Sequence, residues 1–125
     1  MTDIEVRHID DIAPYAGPHA IDGIRFRAAG RALGVTAWGM NILEIDAGCE
    51  AHPEHDHTQD GQEEVYVILR GSARLVAGGE TRILREGDLA RVGPERTRKL
   101  LPGPDGVTVL ALGGTPGEPY GRGAL

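Results

Sequence analysis

Three of the five histidines of this sequence lie close together, at His52, His55 and His57. Only one residue separates His55 from His57, and on an extended chain this spacing places both imidazoles on the same face. Neutral imidazoles on one face form a platform for a divalent transition metal. Two carboxylates, Glu63 and Glu64, begin the next predicted strand. Two histidines and one carboxylate are a facial ligand set that leaves coordination positions open, so the pattern predicts a metal site.

The elements that position these residues are predicted to be short β-strands. The 19 glycines and 8 prolines among 125 residues favour strands joined by tight turns over a helical bundle. No segment keeps a helical period, and strand-forming segments recur about every 8–12 residues, which predicts an all-β sandwich or barrel. The predicted strands are 24–26, 35–45, 64–70, 73–77, 80–84, 89–92 and 107–112, residues 4–9 can form an edge strand, and the turns are 78–79, 87–88 and 102–106.

The length of 125 residues and the mass of 13.3 kDa suit one domain. Its predicted parts are an N-terminal arm with edge strands (1–34), a β-barrel (35–112) and an irregular tail rich in glycine and proline (113–125). A net charge of −6 disfavours nucleic acid as a partner. The sequence shows no membrane-spanning apolar run and no signal-peptide core, so we expect a cytoplasmic protein without a membrane partner. A single cysteine, Cys49, excludes an internal disulfide framework and a cysteine-based zinc site.

The stretch around the histidines resembles the first motif of the cupins, in which a glycine, His-x-His, a glutamate and a second glycine follow one another. Gly48, His55, His57, Glu64 and Gly71 fill these places, with two spacings longer than those of the family. The resemblance covers about residues 35–112. It is closest to the small single-domain bacterial cupins of the type-2, RmlC-like kind. It implies a jelly-roll barrel, or double-stranded β-helix, of antiparallel strands.

The second cupin motif is only partly matched. Its opening glycine is present, but Arg98 stands where the family has its fourth metal ligand, a histidine. The resemblance implies that His55, His57 and Glu64 hold the ion, which would be Fe, Mn, Ni or Zn, and His52 is a candidate for an additional ligand. A guanidinium in the barrel would instead repel a dication and pair with Glu64.

Four side chains are candidates for lining a substrate pocket, namely Tyr66, Arg98, Met40 and Trp38. Core packing is the first interpretation for Met40 and Trp38, and pocket lining the second. The intact ligand set favours a metal-dependent enzyme acting on a small organic molecule, such as an oxygenase, isomerase, lyase or cyclase, with Tyr66 or Arg98 orienting an anionic substrate. The missing fourth ligand favours a metal-free or regulatory cupin that binds a small ligand without catalysis. Both alternatives stay open.

The strand that begins at Glu64 has two apolar faces. One includes Val65 and Leu69, and the other includes Tyr66 and Ile68. Periodicity alone turns the Val65 face toward the core, whereas the cupin frame turns Glu64 and Tyr66 into the barrel. We adopt the cupin frame, which leaves the second apolar face to be covered by another subunit and predicts a homodimer.

Overall fold

The computed structural model describes residues 3–121, so the ends of the predicted arm and tail, residues 1–2 and 122–125, lie outside the described residues. Most of the regular structure is β-strand, which confirms the predicted all-β class. Neither helix of the described part is long and apolar enough to cross a membrane. The elements in chain order are a 3-10 helix (Ile9–Asp11), β1 (Ile24–Arg27), α1 (Ala29–Leu33), β2 (Gly39–Ile45), β3 (Glu63–Ala77), β4 (Glu80–Arg85), β5 (Leu89–Val92) and β6 (Lys99–Gly114).

Two long strands, β3 and β6, run through both layers of the fold. Residues 63–71 of β3 pair with residues 107–114 of β6, and residues 73–76 pair with residues 99–102. The first layer has the order β1–β2–β6–β3, with β5 also paired to β3, and the second layer has the order β6–β3–β4. Every one of these strand pairs is antiparallel. This arrangement is a jelly roll, as predicted.

Gly71 allows β3 to continue where the sequence predicted a strand end. Its φ is +74°, and a Cβ atom there would lie 2.2 Å from the carbonyl oxygen of Gly106. Only glycine accommodates both the left-handed backbone and this close approach. The pairing register with β6 shifts around this residue, so the predicted end is a bulge within a strand of 15 residues.

Other local elements also differ from the expectation. The stretch 102–106, predicted as a turn, lies inside β6, where Pro102 pairs with Ala73 and Val107 pairs with Gly71. The register shifts between these two pairs, and Gly106 has a φ of +77°, so the predicted turn is an irregularity within the strand. Residues 4–8, expected to start an edge strand, form no strand, and His8 instead caps the 3-10 helix by accepting a hydrogen bond from the backbone N–H of Asp10. Helix α1 has only five residues and ends at Gly34, which is too short to leave a helical period in the sequence.

The orientation of β3 follows the cupin frame. Tyr66 and Ile68 are each 1% exposed and belong to the main core, whereas Val65 and Val67 are partly buried and Leu69 is 38% exposed. The face that carries Glu64 and Tyr66 therefore points into the barrel. Periodicity alone predicted the opposite orientation of this strand, with Val65 toward the core, because both of its faces are apolar.

Candidate metal centre

The His-x-His segment lies in the loop between β2 and β3, and residues just before β6 hold it in place. The backbone N–H of His55 donates to the carbonyl of Arg98 at 3.0 Å, and the N–H of Arg98 donates back at 2.9 Å. The N–H of His57 donates to the carbonyl of Pro94 at 2.8 Å. The segment forms one isolated bridge rather than a strand, yet these bonds keep both imidazoles on the side of Glu64.

The structure brings the three predicted ligands together. One ligand atom from each of His55, His57 and Glu64 lies within 4.8 Å of the others. The Nε2 atoms of His55 and His57 lie 3.6 and 3.7 Å from Oε1 of Glu64. Donors that share an ion at about 2.0–2.2 Å are themselves about 3–3.5 Å apart, so small side-chain movements suffice to bind one.

Both imidazoles are anchored through Nδ1. The Nδ1 atom of His57 lies 3.1 Å from Oδ1 of Asp60, and that of His55 lies 3.1 Å from the carbonyl oxygen of Pro53. Both partners are acceptors, so in the neutral rings Nδ1 carries the proton and Nε2 keeps a free lone pair. Metal-binding histidines are commonly held in this way. Within residues 3–121, Nε2 of His57 is buried and has no hydrogen-bond partner, a state that an ion would relieve.

Glu64 receives two further hydrogen bonds on the same oxygen. The hydroxyl of Tyr66 donates to Oε1 at 2.7 Å, and Nη2 of Arg98 donates to it at 2.5 Å. Burial disfavours the charged form, but the nearby imidazole of His55 and the hydrogen bonds from Arg98 and Tyr66 outweigh it and lower the pKa of Glu64 to about 2. Glu64 is therefore ionised at neutral pH, as a metal ligand must be.

Arg98 lies behind Glu64, on the protein side of the centre. Its side chain is 0% exposed, and its Nη1 donates to the carbonyls of Gly93 and Arg96 at 3.3 and 2.9 Å. It is not among the residues that line the adjacent cavity. The sequence suggested that Arg98 contacts a substrate, and this placement does not fit that role. The placement does fit the expected pairing of Arg98 with Glu64.

His52 is buried beside the centre and is already engaged. Its Nδ1 accepts the backbone N–H of Leu100 at 3.1 Å, so the neutral ring carries its proton on Nε2. Burial, followed by the proximity of His55, lowers the pKa of His52 to about 4. The ring has no free lone pair, and service as an additional ligand would require the hydrogen bond to Leu100 to break.

A cavity of about 740 Å³ adjoins the three ligands. Tyr66, Trp38 and Met40, the other candidates for pocket residues, line it, and Trp38 is 48% exposed. Gly39 and Gly113 are paired across β2 and β6, beside Glu64. The ends of the Tyr120 and Gln62 side chains lie 3.0 and 2.7 Å from where the Cβ atoms of Gly39 and Gly113 would stand.

Further residues of the cavity wall were not singled out by the sequence, because they come from the predicted arm and tail and from strand positions without chemical motifs. Spacing gives no signal for them, since only tertiary packing brings them to the cavity. They include Tyr15, Ile21, Phe26, Arg31, Asn41, Leu43, Gln62 and Tyr120.

No protein-family model matches the sequence, and no curated protein matches it. Solved structures do match. A cupin protein from Bacteroides fragilis is 24% identical with a TM-score of 0.65, over 87% of this chain and 90% of that one. A sugar phosphate isomerase of the cupin superfamily from Silicibacter pomeroyi is 21% identical with a TM-score of 0.70, over 87% and 74%. A predicted oxalate decarboxylase from Thermotoga maritima is 18% identical with a TM-score of 0.69, over 87% and 97%. These likenesses and the antiparallel two-layer architecture show that this chain has the cupin fold.

Proposed function

We propose that this protein binds a divalent transition metal through His55, His57 and Glu64 and holds a small organic molecule with an anionic oxygen-donor group at the open positions of the ion. The proposal rests mainly on the Nε2 atom of His57, which is buried and lacks a hydrogen-bond partner among residues 3–121. Asp60 fixes the orientation of this ring through Nδ1. An unpaired buried polar atom is unfavourable by about 1–3 kcal/mol, and an ion would supply the missing partner.

The charges around the centre favour an anionic group on the ligand. Arg98 neutralises Glu64 from behind, without reaching the cavity. The negative charge of the ligating carboxylate is therefore already balanced within the protein, and most of the positive charge of an ion would remain uncompensated. An anion from the cavity side would offset that charge.

When bound, the ion would act as a Lewis acid that polarises a carbonyl or carboxylate oxygen of the ligand. The chain's own residues prepare the site. Burial, and then the charge of Glu64, raise the pKa of Tyr66, so its hydroxyl stays protonated and keeps donating to Glu64. The likeness to a sugar phosphate isomerase and to a predicted oxalate decarboxylase supports an organic anion as the ligand.

A metal-free cupin that binds a small ligand without catalysis is the second candidate, and the contact between Arg98 and Glu64 favours it. Oε1 of Glu64 already accepts hydrogen bonds from Arg98 and Tyr66. Without an ion, hydrogen bonding to Glu64 is the main cause that raises the pKa of His55. The imidazole of His55, which lines the cavity, would then meet an anionic ligand in place of the ion.

Metal analysis separates the two candidates. Protein prepared without a His tag, and then dialysed against zinc, should hold close to one ion per chain by plasma mass spectrometry. His57→Ala should lose this ion, whereas His19→Ala, a change at an exposed histidine outside the ligand set, should keep it. Wild-type protein that stays free of metal after loading rejects the first candidate. Ligand binding that persists in metal-free His57→Ala supports the second.

A further inference from the structure

We infer that the ligand of this site carries an apolar body of several carbon atoms behind its oxygen-donor head, rather than a polyhydroxylated carbon chain. The head group in this inference rests on the proposed function, and the apolar body adds the class of ligand. The side chains along the cavity wall change from polar to apolar with distance from the metal ligands.

The strand register arranges the inward-facing residues of the first layer in rows that lead away from the metal ligands. Neighbouring rows are two residues apart along each strand, so the path from the first row to the third is about 13 Å long. The rows, beginning at the ligands, are Gly39–Gly113–Glu64, Asn41–Ala111–Tyr66, Phe26–Leu43–Val109–Ile68 and Ile24–Ile45–Val107.

Polarity decreases along these rows. The second row offers the amide of Asn41, while the hydroxyl of Tyr66 is committed to Glu64. The third and fourth rows contain no polar side chain, and the cavity extends to Phe26 and Leu43 in the third. A hydroxyl group placed against these rows would find no hydrogen-bond partner among their side chains, whereas a methylene group would gain from leaving water.

Small residues keep the path from the head to the apolar rows open. Gly39 and Gly113 have no side chain, and Ala111 in the next row has only a methyl group. The side-chain oxygen of Gln62 lies 2.7 Å from the place of a Cβ atom at Gly113, so the flexible end of Gln62 already reaches the space that this glycine leaves beside Glu64. The head and the body of one molecule can therefore occupy the ligand row and the apolar rows together.

A homologous series of 2-hydroxycarboxylates tests the inference on the zinc-loaded protein. Glycolate, 2-hydroxybutanoate, 2-hydroxyhexanoate and 2-hydroxyoctanoate share the head, and gluconate matches 2-hydroxyhexanoate in carbon number. By titration calorimetry we expect the affinity to rise about three- to fourfold per methylene until the cavity is filled. The heat-capacity change should become more negative along the series.

Gluconate should bind at least about tenfold more weakly than 2-hydroxyhexanoate, since its hydroxyls would lie unpaired. A flat series, gluconate as the tightest ligand, or binding by no member overturns the inference.

A change at Ala111 tests the path itself. Ala111→Leu adds bulk between the head and the apolar rows, so it should remove most of the gain from the longer chains while sparing glycolate binding and zinc content. Ala47→Leu is the matched control, because Ala47 is exposed and lies outside the cavity wall. Ala111 is 6% exposed, so a melting curve must accompany this variant, and the wild-type series decides the question if the variant does not fold.

Zinc content, measured separately, distinguishes failure of this inference from failure of the proposed function. If the protein holds zinc and the series is flat, only the apolar body is rejected. If the protein holds no zinc and the series still shows the chain-length dependence, the metal site is rejected and the apolar body stands.

Discussion

Arg98 donates a 2.5 Å hydrogen bond to Glu64 from a side chain with no solvent exposure. It stands at the place of the histidine in the second cupin motif, so the chain has a buried cation where the motif has a donor to the ion. The consequence is a carboxylate that is held ionised and restrained before any ion arrives. Three protein donors then remain for the ion, which leaves more of its coordination positions open to a ligand.

Replacing Arg98 by methionine should destabilise the metal-free protein, because it leaves the charge of Glu64 without its buried partner. The expected loss in free energy of unfolding at pH 7 is about 3–5 kcal/mol. Zinc would replace the lost counter-charge, so it should raise the melting temperature of Arg98→Met more than that of the wild type. Urea unfolding with and without zinc measures both effects. Arg74→Met, at an exposed arginine, is the control, and equal stability of the two variants contradicts this role of Arg98.

Asp60 positions His57 without touching the proposed ion. Its Oδ1 lies 3.1 Å from Nδ1 of His57, and its carboxylate also accepts hydrogen bonds from Gln62. Asp60→Asn should weaken zinc binding about 10- to 100-fold, because the charge that fixes the tautomer of the ring is lost. Competition against a chromogenic zinc chelator measures this affinity. Asp105→Asn, at an exposed aspartate far along the chain, should bind zinc like the wild type. Equal zinc affinities of Asp60→Asn and Asp105→Asn would contradict the prediction.

His52 should make the metal-free protein less stable as the pH falls from about 6.5 to about 4. Burial is the main cause that lowers the pKa of His52 in the folded state from 6.5 to about 4. Between pH 6.5 and pH 4, His52 is therefore protonated in the unfolded chain and neutral in the native state. The contribution is complete above pH 6.5 and is lost on acidification, with a size on the order of 3 kcal/mol.

Urea unfolding at a series of pH values tests this contribution. His52→Asn should flatten the dependence in that window, because an amide oxygen can still accept the N–H of Leu100 and does not titrate. His19→Asn, at an exposed histidine, should leave the window unchanged. A dependence that survives in His52→Asn would assign the lost stability to another group.

Gly71 should tolerate alanine much less well than Gly78, although both have a positive φ. Gly78 has φ +62° with open space around it, so alanine there introduces only backbone strain of about 1–2 kcal/mol. At Gly71 the added methyl also meets the carbonyl oxygen of Gly106 at 2.2 Å, and neither backbone can yield without disturbing the pairing of β3 with β6. Chemical denaturation of both variants measures the difference, and equal losses contradict it.

The sequence predicted the ligand set because its information is local. His55 and His57 are separated by one residue, and two carboxylates, Glu63 and Glu64, follow them, so spacing predicts two histidines and one carboxylate. The choice of Glu64 over Glu63 came from the resemblance to the first cupin motif. The position of Arg98 came from the resemblance to the second motif. Its burial and its place behind Glu64 did not, because its partners, the Glu64 carboxylate and the carbonyls of Gly93 and Arg96, are brought to it by tertiary folding, and in the sequence it looks like a surface arginine.

The cavity wall was not predictable in the same way. Phe26 belongs to a short strand predicted within the arm and Tyr120 to the predicted tail, and strand pairing and chain return over long separations bring them to the cavity. The extent of β3 and β6 was also missed. A glycine within a strand pattern weakens the prediction of a continuous strand, and here the pairing with β6 on both sides of Gly71 continues the strand through a bulge.

The outer face of the first layer should mediate a homodimer. Val67 is paired with Leu89, which is 72% exposed, and the neighbouring Val65 is only partly buried. An apolar strand face of this kind is unfavourable in water, and pairing with a second copy would cover it. Sedimentation at tens of micromolar should show a species of about twice 13.3 kDa. Leu89→Asp should convert it to monomer because it buries a charge in the interface, whereas Ile83→Asp, at an exposed residue of the second layer, should leave it dimeric. A wild-type protein that sediments only as monomer contradicts the dimer, and dissociation caused by Ile83→Asp alone would move the interface to the second layer.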